Sequence, residues 1–245
     1  MTISAVIPTF CEAQTAPDVV GELQTHGVDE TIVVDDSPTL ATADAIRDAH
    51  PETIVIHRSD DGLASAVLRG FAAATGDTYL VVDGDGQHPP QAAARMAARV
   101  DTSDVGLALG TRHADGGSVA ADWPAHRRLI SRGADLLARV AVPPTRPLSD
   151  PMTGLFAVDA AVVDPVLPRL RPAGYKISLE LLARCPIDDV EEIGYRFETT
   201  ASESNLGPRE YLRYLRHLVR LAAPSRSPSV GRERILATGG ERGTD

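Results

Sequence analysis

The chain opens with an apolar run, Ile3 to Ile7, closed by Pro8, and short runs of the same kind recur through its first half. Thr31 to Val34, Thr53 to Ile56 and Tyr79 to Val82 are too short for helices and are bounded by turn residues, so they read as buried strands. Helical patterns lie between them: Ala16 to Thr25 with Pro17 near its start, Thr42 to His50, and Leu63 to Thr75 bracketed by Gly62 and Gly76. An Ala-rich helix is expected over Pro89 to Val100, a strand over Val105 to Gly110 and a helix over Trp123 to Val142. A turn at Asp150 to Gly154 then precedes an apolar stretch, Leu155 to Val158. A helix over Tyr175 to Arg184, a partly alternating strand over Asp189 to Phe197 and a helix over Pro208 to Ala223 follow. Strands alternating with helices at this spacing predict βαβ units and a mostly parallel sheet. The fold class is therefore α/β, one domain over 1–223, with 224–245 read as a disordered tail rich in Ser, Arg, Gly and Pro.

Acidic residues recur just beyond the strand ends: Glu12, Asp35, Asp36, Asp83 and Asp85. Right-handed crossovers bring such ends to one edge of the sheet, where open α/β sheets bind ligands. The richest stretch is Tyr79 to Pro90, an apolar run that meets Asp83-Gly84-Asp85-Gly86-Gln87. Asp83 and Asp85, with Gln87 close by, offer hard oxygen ligands for Mg2+ or Mn2+, ions that commonly hold phosphate oxygens. A solvated acidic turn is the plainer alternative, because Asp-Gly is common turn chemistry. A calcium loop is excluded: its twelfth position must be Glu, and counted from Asp83 that position is Ala94. A phosphatase of the haloacid-dehalogenase type would carry its Asp-x-Asp near the start of the chain and is a distant rival. Neither a dinucleotide fingerprint nor a Walker loop follows the first strand, so nucleotide phosphates would need a metal and Arg side chains. Arg112 and the helix bearing Arg127, Arg128, Arg132 and Arg139 supply Arg, although a solvated helix face is the simpler account of Arg127 and Arg128.

The formal net charge of −10 argues against a nucleic-acid partner. Lys176 is the only lysine, and acidic excess with almost no Lys resembles the composition of proteins from salt-loving organisms. Cys11 and Cys185 form neither a disulfide framework nor a metal spacing, which fits a reducing cytoplasm. No signal peptide is read at the N-terminus, and no run is long enough to span a bilayer. On Pro208 to Ala223, Tyr211, Leu215, Leu218 and Ala222 form one stripe, and Arg209, Arg213, Arg216 and Arg220 form another two residues away. Two residues turn about 200° around a helix, so the stripes oppose each other. A basic amphipathic helix in an acidic protein suggests an anionic membrane surface; a docking helix with a solvated Arg face fits as well.

Seven segments, AVIPTFCEA, TIVVDDSP, GLASAVLRGFAAATGD, VVDGDGQHPP, LGTRHADGG, HRRLISRGAD and SDPMTG, stand in one order from about Ala5 to Leu218. In this the chain resembles the polyprenol-phosphate (dolichol-phosphate) mannose synthases, family 2 glycosyltransferases with a GT-A, Rossmann-like fold. The resemblance implies a nucleotide-sugar donor held by Pro8, Thr9, Glu12, Asp35, Asp36, Asp83 and Gly84. It implies Mg2+ or Mn2+ on Asp83, Asp85 and Gln87, and an acceptor phosphate and transferred sugar held by Arg112, Arg127 and Ser131, with Asp85 among the catalytic groups. The implied reaction is inverting transfer of a hexose, mannose from GDP-mannose first and glucose from UDP-glucose second, to a polyprenyl or dolichyl phosphate. With the basic stripe of Arg209, Arg213, Arg216 and Arg220, the expected place is peripheral, on the cytoplasmic membrane face. The sequence departs from the family pattern at Cys11, where Asn is usual, at Asp61, and at Thr200 and Asn205, where Arg and Lys are usual. That loss of positive charge favours the alternative of a non-catalytic relative that binds a nucleotide sugar or lipid phosphate.

Overall fold

In a computed structural model, residues 1–59, 62–102, 105–111, 125–171, 176–195 and 208–222 are described, with the backbone alone at 125–132 and 208–211. Seven strands form one sheet: β1 (Ile3–Thr9), β2 (Glu30–Asp35), β3 (Ile54–His57), β4 (Thr78–Val81), β5 (Leu107–Thr111), β6 (Phe156–Asp159) and β7 (Val190–Gly194). Their order is β3-β2-β1-β4-β6-β5-β7. β1 pairs in parallel with β2 and β4, β2 with β3, and β5 with β7. β6 runs antiparallel to both of its neighbours. The expected mostly parallel α/β sheet is therefore present, with one reversed strand that the residue pattern did not announce.

The helices are α1 (Ala16–Thr25), α2 (Ala41–Ala49), α3 (Leu63–Phe71), α4 (Pro90–Thr102), α5 (Ala125–Ala141), α6 (Ala160–Val163), α7 (Ile177–Arg184) and α8 (Pro208–Ala222). Strand residues alternate between two cores, one on each face of the sheet. Val6 and Val81 join Phe71, Leu179, Leu218 and Leu221 on one side. Ile7, Leu80 and Val82 join Val20, Leu23, Ile46 and Met96 on the other. All seven residues of β1 are buried, as expected for a central strand covered on both faces.

Pro8 lies inside β1 rather than closing it, and α3 ends at Phe71, earlier than Thr75, where the Ala73 and Ala74 N–H groups make tighter three-residue bonds to the Gly70 and Phe71 carbonyls. α8 docks through a different face from the expected one. Leu218, His217 and Leu221 are buried and Tyr214 is half-buried, whereas Leu215 and Ala222 are exposed. On that inner face Tyr214 bonds α5 at Ala134 and His217 bonds α7 at Glu180, neither of which belonged to the expected stripe. The expected tail from 224 lies outside the described residues.

Candidate active site

The carboxyl ends of β1, β2, β3 and β4 emerge on one edge, because these four strands are mutually parallel. At that edge β1 delivers Thr9 and the turn to Glu12, β2 delivers Asp35 and Asp36, and β4 runs into Asp83 and Asp85. The turn after β4 is tight. Gly86 has φ 76°, a left-handed backbone that glycine takes without strain. Asp85 Oδ1 accepts the Gln87 N–H at 2.9 Å, and Thr15 Oγ1 donates to the Gly84 carbonyl at 2.9 Å, which ties the turn to the start of α1. A Cβ on Gly84 would sit 2.6 Å from Thr9 Cγ2 and 2.7 Å from Glu12 Oε2, so a side chain there would displace these two side chains. Beside this turn a cleft of about 500 Å3 opens between α1 and α4, with Thr15, Glu22, Asp85 and Gly86 in its wall.

The electrostatics of the turn are those of an anion cluster. Burial, with the charges of Asp85 and Asp83, pushes the Glu12 carboxyl up to about 8. Glu12 Oε2 is buried and has no hydrogen-bond partner. Burial and the neighbouring Asp83 likewise raise Asp85, against the Gln87 N–H bond that lowers it. Like charges gathered out of water in this way are what a divalent cation would relieve. Hard carboxylate oxygens suit Mg2+ or Mn2+, and these ions commonly complete their shells with water and substrate phosphate. Among the described residues no three His, Cys, Asp or Glu side chains form a metal site by themselves.

Asp35 and Asp36 are buried and each is held by the protein. Thr9 Oγ1 donates to Asp35 Oδ1 at 3.1 Å, the Ser37 N–H donates to the same atom at 3.2 Å, and His57 Nδ1 lies 3.0 Å from Oδ2. Arg58 grips Asp36 with both prongs, Nε to Oδ1 and Nη2 to Oδ2 at 2.8 Å each, and its Nη1 donates to Ser65 Oγ at 2.9 Å. His88 is buried, with Nε2 3.3 Å from Asp83 Oδ2 and its ring against Tyr195. The sequence reading gave no role to His57, Arg58 or His88. The signal was there for the first two: they end and follow β3 at the edge where Asp35 ends β2.

Of the residues expected from the sequence, Pro8, Thr9, Glu12, Asp35, Asp36, Asp83, Gly84, Asp85 and Gln87 come together at this edge. Arg127 and Ser131 lie on α5, where the backbone alone is described; Arg112, Asp61, Thr200 and Asn205 lie outside the described residues. Arg139, farther along α5, is no solvated charge: it donates to the carbonyls of Arg146 at 2.5 Å and Leu148 at 2.6 Å.

An α/β sheet with acidic turns at one carboxyl edge is a frame for binding phosphate-bearing ligands, and residues 4–160 match the model of the family "Glycosyl transferase family 2". The chain belongs to that family. It is 36% identical over 229 residues to a dolichol-phosphate mannosyltransferase of Pyrococcus furiosus, covering 90% of this chain and 64% of that protein. The proteins of the same name from Mycosarcoma maydis and Saccharomyces cerevisiae are 35% and 34% identical, each over 78% of this chain and over 66% and 74% of their own lengths. The chain thus spans about two thirds of the first two relatives. Among solved structures, glucosyl-3-phosphoglycerate synthase of Mycobacterium tuberculosis with Mn2+, UDP-glucose and phosphoglyceric acid superposes with a TM-score of 0.68 at 18% identity, over 92% of this chain and 81% of that one. That likeness is one of fold, the GT-A arrangement expected from the sequence.

Proposed function

We propose that the protein transfers a hexose, mannose from GDP-mannose in the first instance, to a polyprenyl or dolichyl phosphate at a membrane surface. The observation that carries the reading is the meeting of Asp83, Asp85 and Glu12, whose Oε2 is buried without a partner, at the sheet edge of a chain similar to proteins named dolichol-phosphate mannosyltransferase. Asp83 and Asp85, with Gln87, would hold Mg2+ or Mn2+, and the ion would neutralise charge gathering on the departing diphosphate. Pro8, Thr9, Asp35, Asp36 and Gly84 would shape the nucleoside side of the donor site.

The chemistry needs little from the protein beyond placement. An oxygen of the lipid phosphate attacks the anomeric carbon, the bond from that carbon to the diphosphate oxygen breaks on the opposite face, and the configuration inverts. The attacking phosphate is already ionised at neutral pH, so no strong base is required. Bringing two anions together is the main obstacle, and Arg112 and Arg127 with Ser131 would meet it from the acceptor side, since Arg forks match phosphate geometry.

Surface chemistry supports a membrane-facing side. α8 exposes Leu212, Leu215 and Val219 at one helical spacing, and α5 exposes Leu136, Leu137 and Val140. The two helices pack together, with Tyr214 Oη donating to the Ala134 carbonyl at 2.7 Å. Arg213 and Arg216 are exposed on α8 beside the apolar stripe. Such a surface suits the headgroup boundary of an anionic leaflet. Among the described residues no helix is long and apolar enough to cross a membrane.

A transfer assay tests the reading. The purified protein is given Mn2+, a short polyprenyl phosphate and radiolabelled sugar nucleotides, GDP-mannose and UDP-glucose among them, in high salt. Labelled lipid that vanishes in Asp85→Ala supports the transferase, and the donor that labels it settles the sugar. Metal-dependent nucleotide binding with no labelled lipid from any donor would leave a non-catalytic binding protein.

A further inference from the structure

We propose that Glu192 is a positioning residue: it fixes the 149–154 loop between the end of β5 and Asp83. The inference rests on the reading above only in taking Asp83 as a holder of metal and diphosphate. Glu192 stands on β7, an edge strand paired in parallel with β5 so that Leu109 faces Glu192 and Thr111 faces Gly194. A carboxylate on an edge strand is ordinarily left to water. This one receives four bonds from one short segment. The Ser149 N–H reaches both of its oxygens at 2.8 Å, Ser149 Oγ donates to Oε1 at 2.9 Å, and the Asp150 N–H donates to Oε1 at 2.9 Å. Ser149 Oγ also lies 2.7 Å from Thr111 Oγ1, the last residue of β5.

From that anchor the loop is held at each step until it touches the site. Ser178 Oγ donates to the Pro151 carbonyl at 2.9 Å, and Lys176 Nζ donates to the Met152 carbonyl at 3.3 Å. Leu155 returns to the sheet, its carbonyl accepting the Gly110 N–H at 2.9 Å. Between them Gly154 lies against Asp83: a Cβ there would be 3.3 Å from Oδ2. The loop is thus a wall of the Asp83 carboxylate, and Glu192 determines where the wall stands. The same anchor secures Thr111, the residue before Arg112. Glu191 supplies the internal contrast. Strand alternation turns it to the other face, where it pairs with Arg99 at 2.8 Å on the surface.

The test compares Glu192→Ala, Glu192→Gln and Glu191→Gln with the parent. Mn2+ affinity is read by electron paramagnetic resonance of free Mn2+ in the presence of GDP, transfer by kcat, and folding by the thermal midpoint. Supporting groups behind metal ligands typically change affinity or activity by about 10–100-fold. Glu192→Ala is expected to weaken Mn2+ binding and lower kcat by roughly tenfold in a protein that still melts cooperatively. Glu192→Gln keeps one acceptor oxygen and is expected to lose less; Glu191→Gln is expected to lose nothing. A folded Glu192→Ala, or a folded Glu192→Gln should the alanine variant not fold, with Mn2+ affinity within twofold of the parent overturns the proposal. A parent that binds Mn2+ and GDP but transfers no sugar removes the transferase reading alone, because Mn2+ affinity still reports on Glu192.

Discussion

His217 on α8 and Glu180 on α7 meet Nε2 to Oε2 at 2.7 Å, with side chains 0% and 3% exposed. Glu180 Oε1 accepts the Arg171 N–H at 3.0 Å, and Arg220 Nη2 stands 3.5 Å from Oε2. This buried pair, with the Tyr214 bond to α5, joins the last helix to the body of the domain.

The pair makes the docking of α8 pH-dependent. Burial alone would raise Glu180, but the His217 bond, the Arg171 N–H and the charges of His217 and Arg220 outweigh it and hold the carboxyl below its ordinary value of 4.5. A carboxyl depressed in the folded state contributes stability above its unfolded value, and that contribution is lost as pH falls toward the folded one. Urea midpoints of the parent are therefore expected to decline as pH drops below about 4.5, and Glu180→Gln to remove part of that decline. His217→Ala, which strips the buried carboxylate of its nearest partner, is expected to cost about 2–4 kcal/mol at neutral pH. Equal urea midpoints in parent and His217→Ala would show that the pair contributes nothing.

Arg58 and Asp36 invite a second measurement. Their side chains are 13% and 8% exposed, so the fork closes largely out of water. Arg58→Ala leaves a buried carboxylate beside Asp35 and is expected to cost roughly 2–4 kcal/mol in chemical denaturation. Arg58→Lys keeps the charge but not the two-pronged geometry and is expected to recover only part of that loss. Nucleotide affinity, by calorimetry with GDP and Mn2+, should fall with both if Asp36 faces the nucleoside. Affinity unchanged in a folded Arg58→Ala would confine the pair to a structural role.

Cys11 has φ 61°, the one non-glycine residue in the left-handed region among the described residues, and its N–H donates to Ser37 Oγ at 2.8 Å. Asn tolerates such a backbone better than most residues. Cys11→Asn is expected to raise stability by about 0.5–1 kcal/mol, a shift of roughly 2 °C in the thermal midpoint. Cys11→Val, branched at Cβ, is expected to lower it. A thermal midpoint unmoved by Asn and Val alike would mean that the turn relaxes without strain.

What the sequence disclosed of this fold depended on how local the cause was. α1 begins at Ala16 and ends at Thr25 as expected, because Pro17 and Gly27 mark its ends within the chain itself. The carboxylates of the site were legible for the same reason, each standing just past an apolar run. The reversal of β6 was not, since the short run Phe156 to Val158 carries no record of strand direction. The grips on Asp35 and Asp36 needed the register of β2 against β3, which sets Asp35 opposite His57. Glu192 reaches a loop 42 residues away. On α8, Tyr214 and His217 stood outside both expected stripes, yet each satisfies its polar tip on another helix.

That rotation of α8 sharpens the membrane prediction. The outward apolar stripe is Leu212, Leu215 and Val219, exposed by 49%, 44% and 74%. Arg220 is left untouched in the test because its contact with Glu180 belongs to the docking. Arg213→Glu with Arg216→Glu is expected to weaken cosedimentation with phosphatidylglycerol vesicles by roughly thirtyfold or more, at about 1 kcal/mol for each basic residue removed. Salt should weaken the parent in the same direction. Leu215→Glu with Val219→Glu removes apolar insertion instead, and is expected to weaken binding to neutral phosphatidylcholine vesicles as well. Both double variants keep Tyr214, His217, Leu218 and Leu221, so the helix should stay docked, and limited proteolysis would verify that it does. Vesicle binding equal to the parent in both variants would mean that α8 serves the fold alone and that the lipid acceptor is met by another surface.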